Sequence, residues 1–411
     1  MMNIKKPELL IPAGSMDVFE TAIRYGADAI YIGGEEFGLR AMAKNFSPSE
    51  MKTAIDLAHR HNRKVYVTAN IIAHNEDLKE AESYFCQLDE MKPDAIIISD
   101  PGLFDIAKRV VSDIELHIST QANNTNYGTF NFWYHQGAKR VVCARELSIE
   151  EIRDLKKNIP SDCQIEAFVH GAMCISYSGR CLISSCMTGR DANRGACTHP
   201  CRWKYYLMEE KRPGEYMPVF ENDRGTYLYN SKDLCMIEHV DDLIEASVDS
   251  FKIEGRMKTA LYIAITARAY RMAIDDYMES PDLYRKNLPL YREELELYTH
   301  REYTTGFFYG KTDENSQIYD ANTYVSFSTY LGTVREVTSD KVSFMQKNKF
   351  SIGETIEVMK PDGRNLHACV HDIKNEKGET LESASHASQM LYVDFGQHDI
   401  EVGDILRTIR K

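Results

Sequence analysis

Eight short β-rich apolar runs alternate with helix-patterned stretches over the first two-thirds of the 411-residue chain, and this alternation restricts the fold more than any other feature. The runs are Leu9–Ile11, Ala29–Gly33, Val65–Val67, Ala95–Ile98, Glu115–Ile118, Arg140–Cys143, Ile165–Val169 and Phe251–Ile253. Each closes in small or polar residues, as the first does at Pro12-Ala13-Gly14-Ser15. Between the first two, Val18, Ala22 and Ile23 share one helical face; later, Ser47-Pro48-Ser49-Glu50 reads as a helix start with proline in the first turn. Strands buried on both faces and separated by helices imply a parallel sheet, and eight such repeats imply an α/β fold of the (β/α)8 TIM-like barrel type. A doubly wound open sheet is the second choice.

In such barrels, functional residues gather at the C-terminal ends of the strands. The polar residues just past those ends are Asn70, Asp100, Gln121, Arg145, Glu146, His170, Glu254 and Arg256. Capping of the following helix is the alternative reading for each. His170 and Glu254 are the candidate proton-transfer (catalytic) groups in this set.

Directly after the seventh strand, five of the ten cysteines fall in one stretch: Cys174, Cys181, Cys186, Cys197 and Cys201. Thiols at this density serve disulfides, zinc or iron–sulfur clusters. The N-terminus lacks the apolar core of a secretory signal, so a cytoplasmic chain is expected and disulfides are disfavoured. The spacing Cys174-x6-Cys181-x15-Cys197-x3-Cys201 is loose for a zinc ribbon, and a multi-iron cluster accepts such a spread more readily. The stretch is expected to form an insert, 170–212, over the barrel mouth; irregular chain of that length in a compact domain usually carries function. Cys186 is expected to be a buried small hydrophobe.

The formal charge of −13 argues against a surface that coats nucleic acid generally. Locally the balance inverts: between residues 180 and 212, seven arginines and lysines stand against Asp191, Glu209 and Glu210. No run is long and apolar enough for a membrane span. From Tyr330 the texture changes to short strands and turns, with Asp362-Gly363 as a hairpin signal, which implies a small C-terminal β-barrel domain over 330–411. The expected organisation is a barrel domain over 1–298, a connector over 299–329 and this final module.

The run from Glu166 to Ser184, containing His170-Gly171, Cys174, Gly179 and Cys181, closely resembles the signature of the collagenase-like peptidase family U32. Glu8–Gly14 and Phe251-Lys252-Ile253-Glu254-Gly255-Arg256 resemble its other hallmarks, so the likeness spans roughly residues 7–270 and recurs as three separated motifs in order. The resemblance implies tRNA modification, namely hydroxylation of wobble uridine to 5-hydroxyuridine, with prephenate as co-substrate and a 4Fe-4S cluster. It implies Cys174, Cys181, Cys197 and Cys201 as the cluster ligands, with Cys235 the rival for one place. A dicarboxylate co-substrate calls for guanidinium partners, and Arg145, Arg180 and Arg256 are the nearest candidates for substrate binding. An anticodon loop of tRNA would be held by cations and stacking aromatics, for which Arg202, Trp203 and Lys204 are the candidates. Heterodimers occur in the family, so a hetero-oligomer with a paralogue is among the arrangements implied. The family name keeps a collagenase-like peptidase as the alternative, although the sequence has neither HExxH nor GxSxG. A non-catalytic iron–sulfur scaffold is the third reading.

Overall fold

The protein is described here by a computed structural model covering residues 5–38, 45–174, 176–203, 221–222, 225–226, 231–310, 326–338, 341–396 and 399–409. The eight runs are all strands: β1 (Glu8–Pro12), β2 (Ala29–Gly33), β3 (Lys64–Ala69), β4 (Ala95–Ile98), β5 (Glu115–Ile118), β6 (Arg140–Val142), β7 (Gln164–Ala172) and β8 (Ser250–Ile253). Neighbours pair in parallel in chain order, and β8 pairs with both β7 and β1, which closes the sheet into an eight-stranded barrel.

The helices start where local chemistry says they should. Ser47 and Glu50 form a reciprocal capping box ahead of the helix Pro48–Arg60, with the Glu50 N–H donating to Ser47 Oγ and the Ser47 N–H to Glu50 Oε2. Asp100 caps the helix Pro101–Val110 by accepting from the Gly102 and Leu103 N–H groups. Capping therefore accounts for Asp100, one of the residues expected near the mouth.

Side chains alternate along a strand, so every second residue points into the barrel. One part of the interior is apolar: Leu10, Ala29, Tyr31, Tyr66, Ala95 and Ile97 pack as one buried cluster from β1 to β4. Another part, supplied by β1 and β6 to β8, is charged. Arg140 donates to Glu8 Oε1 at 2.6 Å and to Glu166 Oε2 at 3.1 Å, while Lys252 donates to Glu166 Oε1 at 2.7 Å. Tyr66 and Ser250 add hydroxyl donors to Glu8 at 2.7 and 3.0 Å. Burial by itself would raise both carboxyls, yet Arg140 beside Glu8, and Lys252 with Arg140 beside Glu166, outweigh it and hold both below the usual carboxylate range.

Contact density divides the chain into two compact units. One holds the barrel strands (residues 1–16, 28–257 and 301–323); the other comprises residues 17–27, 258–300 and 324–411. In the second, the helices Ala260–Glu279 and Pro281–Glu296 occur with a curled seven-stranded antiparallel sheet that contains the hairpin Thr355–Met359 and Asn365–Cys369. That hairpin turns at Asp362-Gly363, where Gly363 takes φ +90°, a region that favours glycine. The sheet's core is built on Leu331, Phe344, Val358, Leu391 and Leu406. Arg407, fully buried, donates to Glu357 at 2.7 Å and Glu294 at 2.9 Å, tying sheet to helix within this unit. Among the described residues no helix is long and apolar enough to cross a membrane.

Breaking one partner of a buried ion pair strands the other charge, at a cost of about 3–5 kcal/mol. Glu166→Leu is therefore expected to lower the melting temperature far more than a surface substitution such as Glu150→Leu, read by calorimetry. Because both folded carboxyls lie below their ordinary value of 4.5, their contribution is present above that pH and is lost as pH falls through the depressed values. Wild-type melting temperature should accordingly drop as pH is taken below 4.5, with a shallower acid dependence in Glu8→Gln.

Candidate active site

At the C-terminal mouth of the barrel lies a polar pocket lined by residues from β2 round to β8 and the turns that follow them. Tyr31, Thr68, Phe168 and Lys252 come from the strands themselves, and Asn70, Ser119, Gln121, Arg145, Glu254 and Arg256 from just past the strand ends. Ser178, from the cysteine-rich insert, also lines it. Three cations thus meet one lining carboxylate, Glu254, with Glu166 beneath Lys252.

Strand alternation explains part of this convergence. Lys252 is on β8, while Glu254 and Arg256 follow its end on either side of Gly255, whose φ of +146° turns the chain; all three line the pocket. Tyr66, Thr68 and Asn70 alternate along β3 and its end, with Tyr66 below and the other two in the pocket. The Arg256 guanidinium is held by Thr68 Oγ1 at 3.0 Å and Asn45 Oδ1 at 3.3 Å. It lies across Gly33 so closely that a Cβ there would come within 2.0 Å of its Nη1, and a Cβ on Gly14 would meet the Arg256 carbonyl at 2.3 Å. Arg145 stacks on Phe168, its guanidinium carbon 4.0 Å from the ring centroid, and approaches Glu254 at 3.8 Å. The Tyr31 hydroxyl donates to the Ile253 carbonyl at 2.9 Å and lies 3.5 Å from Glu254 Oε2.

Of the residues expected from sequence, Arg145, Glu254 and Arg256 meet in this pocket. His170 does not line it: the ring is buried 5.6 Å from that of Tyr303, and its carbonyl accepts from the Glu254 N–H at 2.8 Å. Arg180 is exposed on the insert, outside the lining. Trp203 is exposed, while Lys204 and the Arg202 side chain fall outside the described residues. Sequence reasoning gave no role to Lys252, which stands between buried Phe251 and Ile253; its signal was a charged residue inside an otherwise apolar strand.

The insert leaves β7 at Ala172 and returns at the short strand Asp233–Cys235, which runs antiparallel to β7 with Cys235 opposite His170. Arg301 clamps this foot, donating from Nε and Nη2 to Asp233 Oδ1 at 3.0 and 2.6 Å. Further braces join the insert to the mouth loops: Asn123 Nδ2 donates to the Ser178 carbonyl at 3.0 Å, and Arg194 makes a two-pronged bond to Asp77 at 2.9 and 2.8 Å.

Cys174 is exposed, and Cys181, Cys197 and Cys201 are partly exposed. Cys197 Sγ accepts a hydrogen bond from the His199 N–H at 3.4 Å, the kind of bond that also supports a ligating sulfur. As folded here, no three His, Cys, Asp or Glu among the described residues are grouped to hold a metal ion. The thiols of Cys174, Cys181, Cys197 and Cys201 supply suitable donor chemistry on one segment. Cys186, expected to be buried, is exposed on the short helix Ile183–Thr188, whose buried contact is instead Ser184, bonded to Thr198.

Fold and pocket together define a (β/α)8 barrel protein with a cation-rich polar site at its C-terminal mouth and a cysteine-rich insert beside it. The chain belongs to peptidase family U32: the family's sequence profile matches residues 14–318, and that of the U32 C-terminal domain matches residues 328–407. It is 39% identical to the tRNA hydroxylation protein P of Escherichia coli over 92% of this chain and 91% of that protein. It is 38% identical to tRNA hydroxylation protein P1 of Bacillus subtilis, covering 94% and 91% of the two chains. The 23S rRNA 5-hydroxycytidine synthase of E. coli is 37% identical over 66% of this chain and 40% of its own length.

The close approach at Gly33 sets a test of the pocket's upper wall. Gly33→Ala is expected to displace the Arg256 guanidinium and cost about 1–3 kcal/mol through overpacking, measured by denaturant unfolding. Gly38→Ala, where a Cβ would meet only ordinary van der Waals contacts at 3.5 and 3.8 Å, serves as the uncrowded comparison.

Proposed function

We propose that this chain is an RNA-modifying enzyme that hydroxylates the wobble uridine of tRNA to 5-hydroxyuridine, with prephenate as the small-molecule co-substrate. The observation that carries the reading is the mouth pocket, where Arg145, Lys252 and Arg256 converge around Glu254 and two aromatic rings. Cations in a recessed site suit an anionic molecule, and guanidiniums suit carboxylates in particular. The tRNA and rRNA hydroxylation activities named for relatives of comparable sequence supply the reaction class.

In this reading Arg145 and Arg256 are guanidinium contacts for the anionic co-substrate, and the Phe168 and Tyr31 rings cover its ring portion. Glu254, reached by the Tyr31 hydroxyl, is the group placed to hold or move a proton at the pocket. The tRNA anticodon loop reaches the mouth across the insert, where exposed Trp203 offers a stacking surface and Arg202 and Lys204 offer cations. A 4Fe-4S cluster is proposed on Cys174, Cys181, Cys197 and Cys201, with the insert drawing together as metal is taken up, since ligand ordering and metal binding are coupled. Such a cluster supplies one-electron chemistry when bound. Work in the cytoplasm, and assembly with a paralogous subunit, belong to the same proposal.

A peptidase needs a nucleophile beside a base, or a metal-activated water. His170, four residues before Cys174, packs instead against Tyr303. Cleavage of gelatin by the purified, iron-free protein would favour that alternative.

Deleting the gene should leave wobble uridines without 5-hydroxyuridine-derived modification in nucleoside mass spectrometry; intact modification in a strain lacking any paralogue would refute the reading. Protein purified under strict exclusion of air should carry about four iron and four sulfide per chain, as its cluster type requires. Cys197→Ser should lose most of that iron while Cys86→Ser keeps it. Metal-free protein that remains active would remove the cluster.

A further inference from the structure

Lys252 lies at the pocket wall with most of its hydrogen-bonding capacity unused. Its side chain is 6% exposed, and its ammonium lies 4.5 Å from the Tyr31 ring centroid and 5.4 Å from that of Phe168. An ammonium has three N–H donors. One donates to Glu166 Oε1 at 2.7 Å, and no other hydrogen bond from this ammonium is made among the described residues. A buried cation with unspent donors at the wall of a polar pocket is suited to an anion that enters from the mouth.

The charges below it make that role specific. Glu8, Arg140, Glu166 and Lys252 carry two negative and two positive charges and are joined through successive bonds. Lys252 is thus anchored from beneath by a balanced set, and Glu166 fixes where its remaining donors lie. Arg145 packs on the same Phe168 ring, and both cations line the one pocket.

We propose that Lys252 is a direct ligand contact, binding one carboxylate of a dicarboxylate co-substrate while Arg145 takes the other, and that Glu166 and Arg140 are positioning residues acting through it. This rests on the pocket reading above and names a residue and a ligand class for it. No bond is made or broken in this step, which is ion pairing and hydrogen bonding alone.

The test uses the full chain, with prephenate and succinate as probes in calorimetric titration. Lys252→Met alone leaves Glu166 short of a partner and can fail to fold, so the deciding variant is Lys252→Met with Glu166→Gln, which keeps the interior balanced. Melting temperature reports whether that variant is folded, and Lys252→Arg supplies a conservative rescue of the charge.

A folded double variant that binds prephenate roughly tenfold to a hundredfold more weakly, as the loss of a charged hydrogen bond predicts, with partial recovery in Lys252→Arg, supports the inference. Unchanged affinity in the folded double variant overturns it and leaves the pocket reading standing. Wild type that binds succinate but not prephenate, with succinate binding lost in the double variant, removes prephenate from the proposed function and keeps Lys252 as the carboxylate contact. Wild type that binds neither probe overturns the inference, while the hydroxylation reading is judged separately by nucleoside analysis.

Discussion

The barrel depends on an arrangement of charge that closes it from inside: Glu8 on β1, Arg140 on β6, Glu166 on β7 and Lys252 on β8, joined by hydrogen bonds of 2.6 to 3.1 Å. Isolated charges would be untenable there, since desolvation of an unpaired ion costs several kcal/mol. Each carboxylate meets more than one donor, so the group is stable only as a set. It links the first strand to the last three, and it forms the floor on which the mouth pocket stands. The apolar cluster on β1 to β4 supplies non-directional cohesion, whereas the charged side fixes where particular atoms lie.

The strand-and-helix alternation was visible in sequence because each strand is a short apolar run and each gap is long enough for a helix. Ser47-Pro48-Ser49-Glu50 and Asp362-Gly363 were legible for the same reason: a capping box and a hairpin turn are decided within a few residues. The pocket was legible in part. Arg145, Glu254 and Arg256 follow strand ends, and the barrel rule sends such residues to one mouth. Asp100 satisfies the same rule and caps a helix, a choice that depends on the two amides ahead of it.

Lys252 was hidden because its partner Glu166 is 86 positions earlier, and only closure of the sheet brings β7 and β8 together. The same long-range dependence hid the Arg407–Glu294 tie in the second unit. His170 looked like a mouth residue, but the returning strand Asp233–Cys235 covers it, and nothing local announces that pairing. Cys186 looked like a small apolar filler by composition; its helix of six residues presents it outward, and Ser184 takes the inner position.

The cysteine-rich insert departs from Ala172 and rejoins the sheet at Asp233, and these two residues are partners in one ladder. Both feet therefore stand at a single point on β7, with Arg301 pinning the second. A loop anchored this way imposes no register on the strands that carry it, and doubling its length would cost only about 0.6 kcal/mol of closure entropy. The span between those feet can thus change in length while the staves of the barrel keep their alignment.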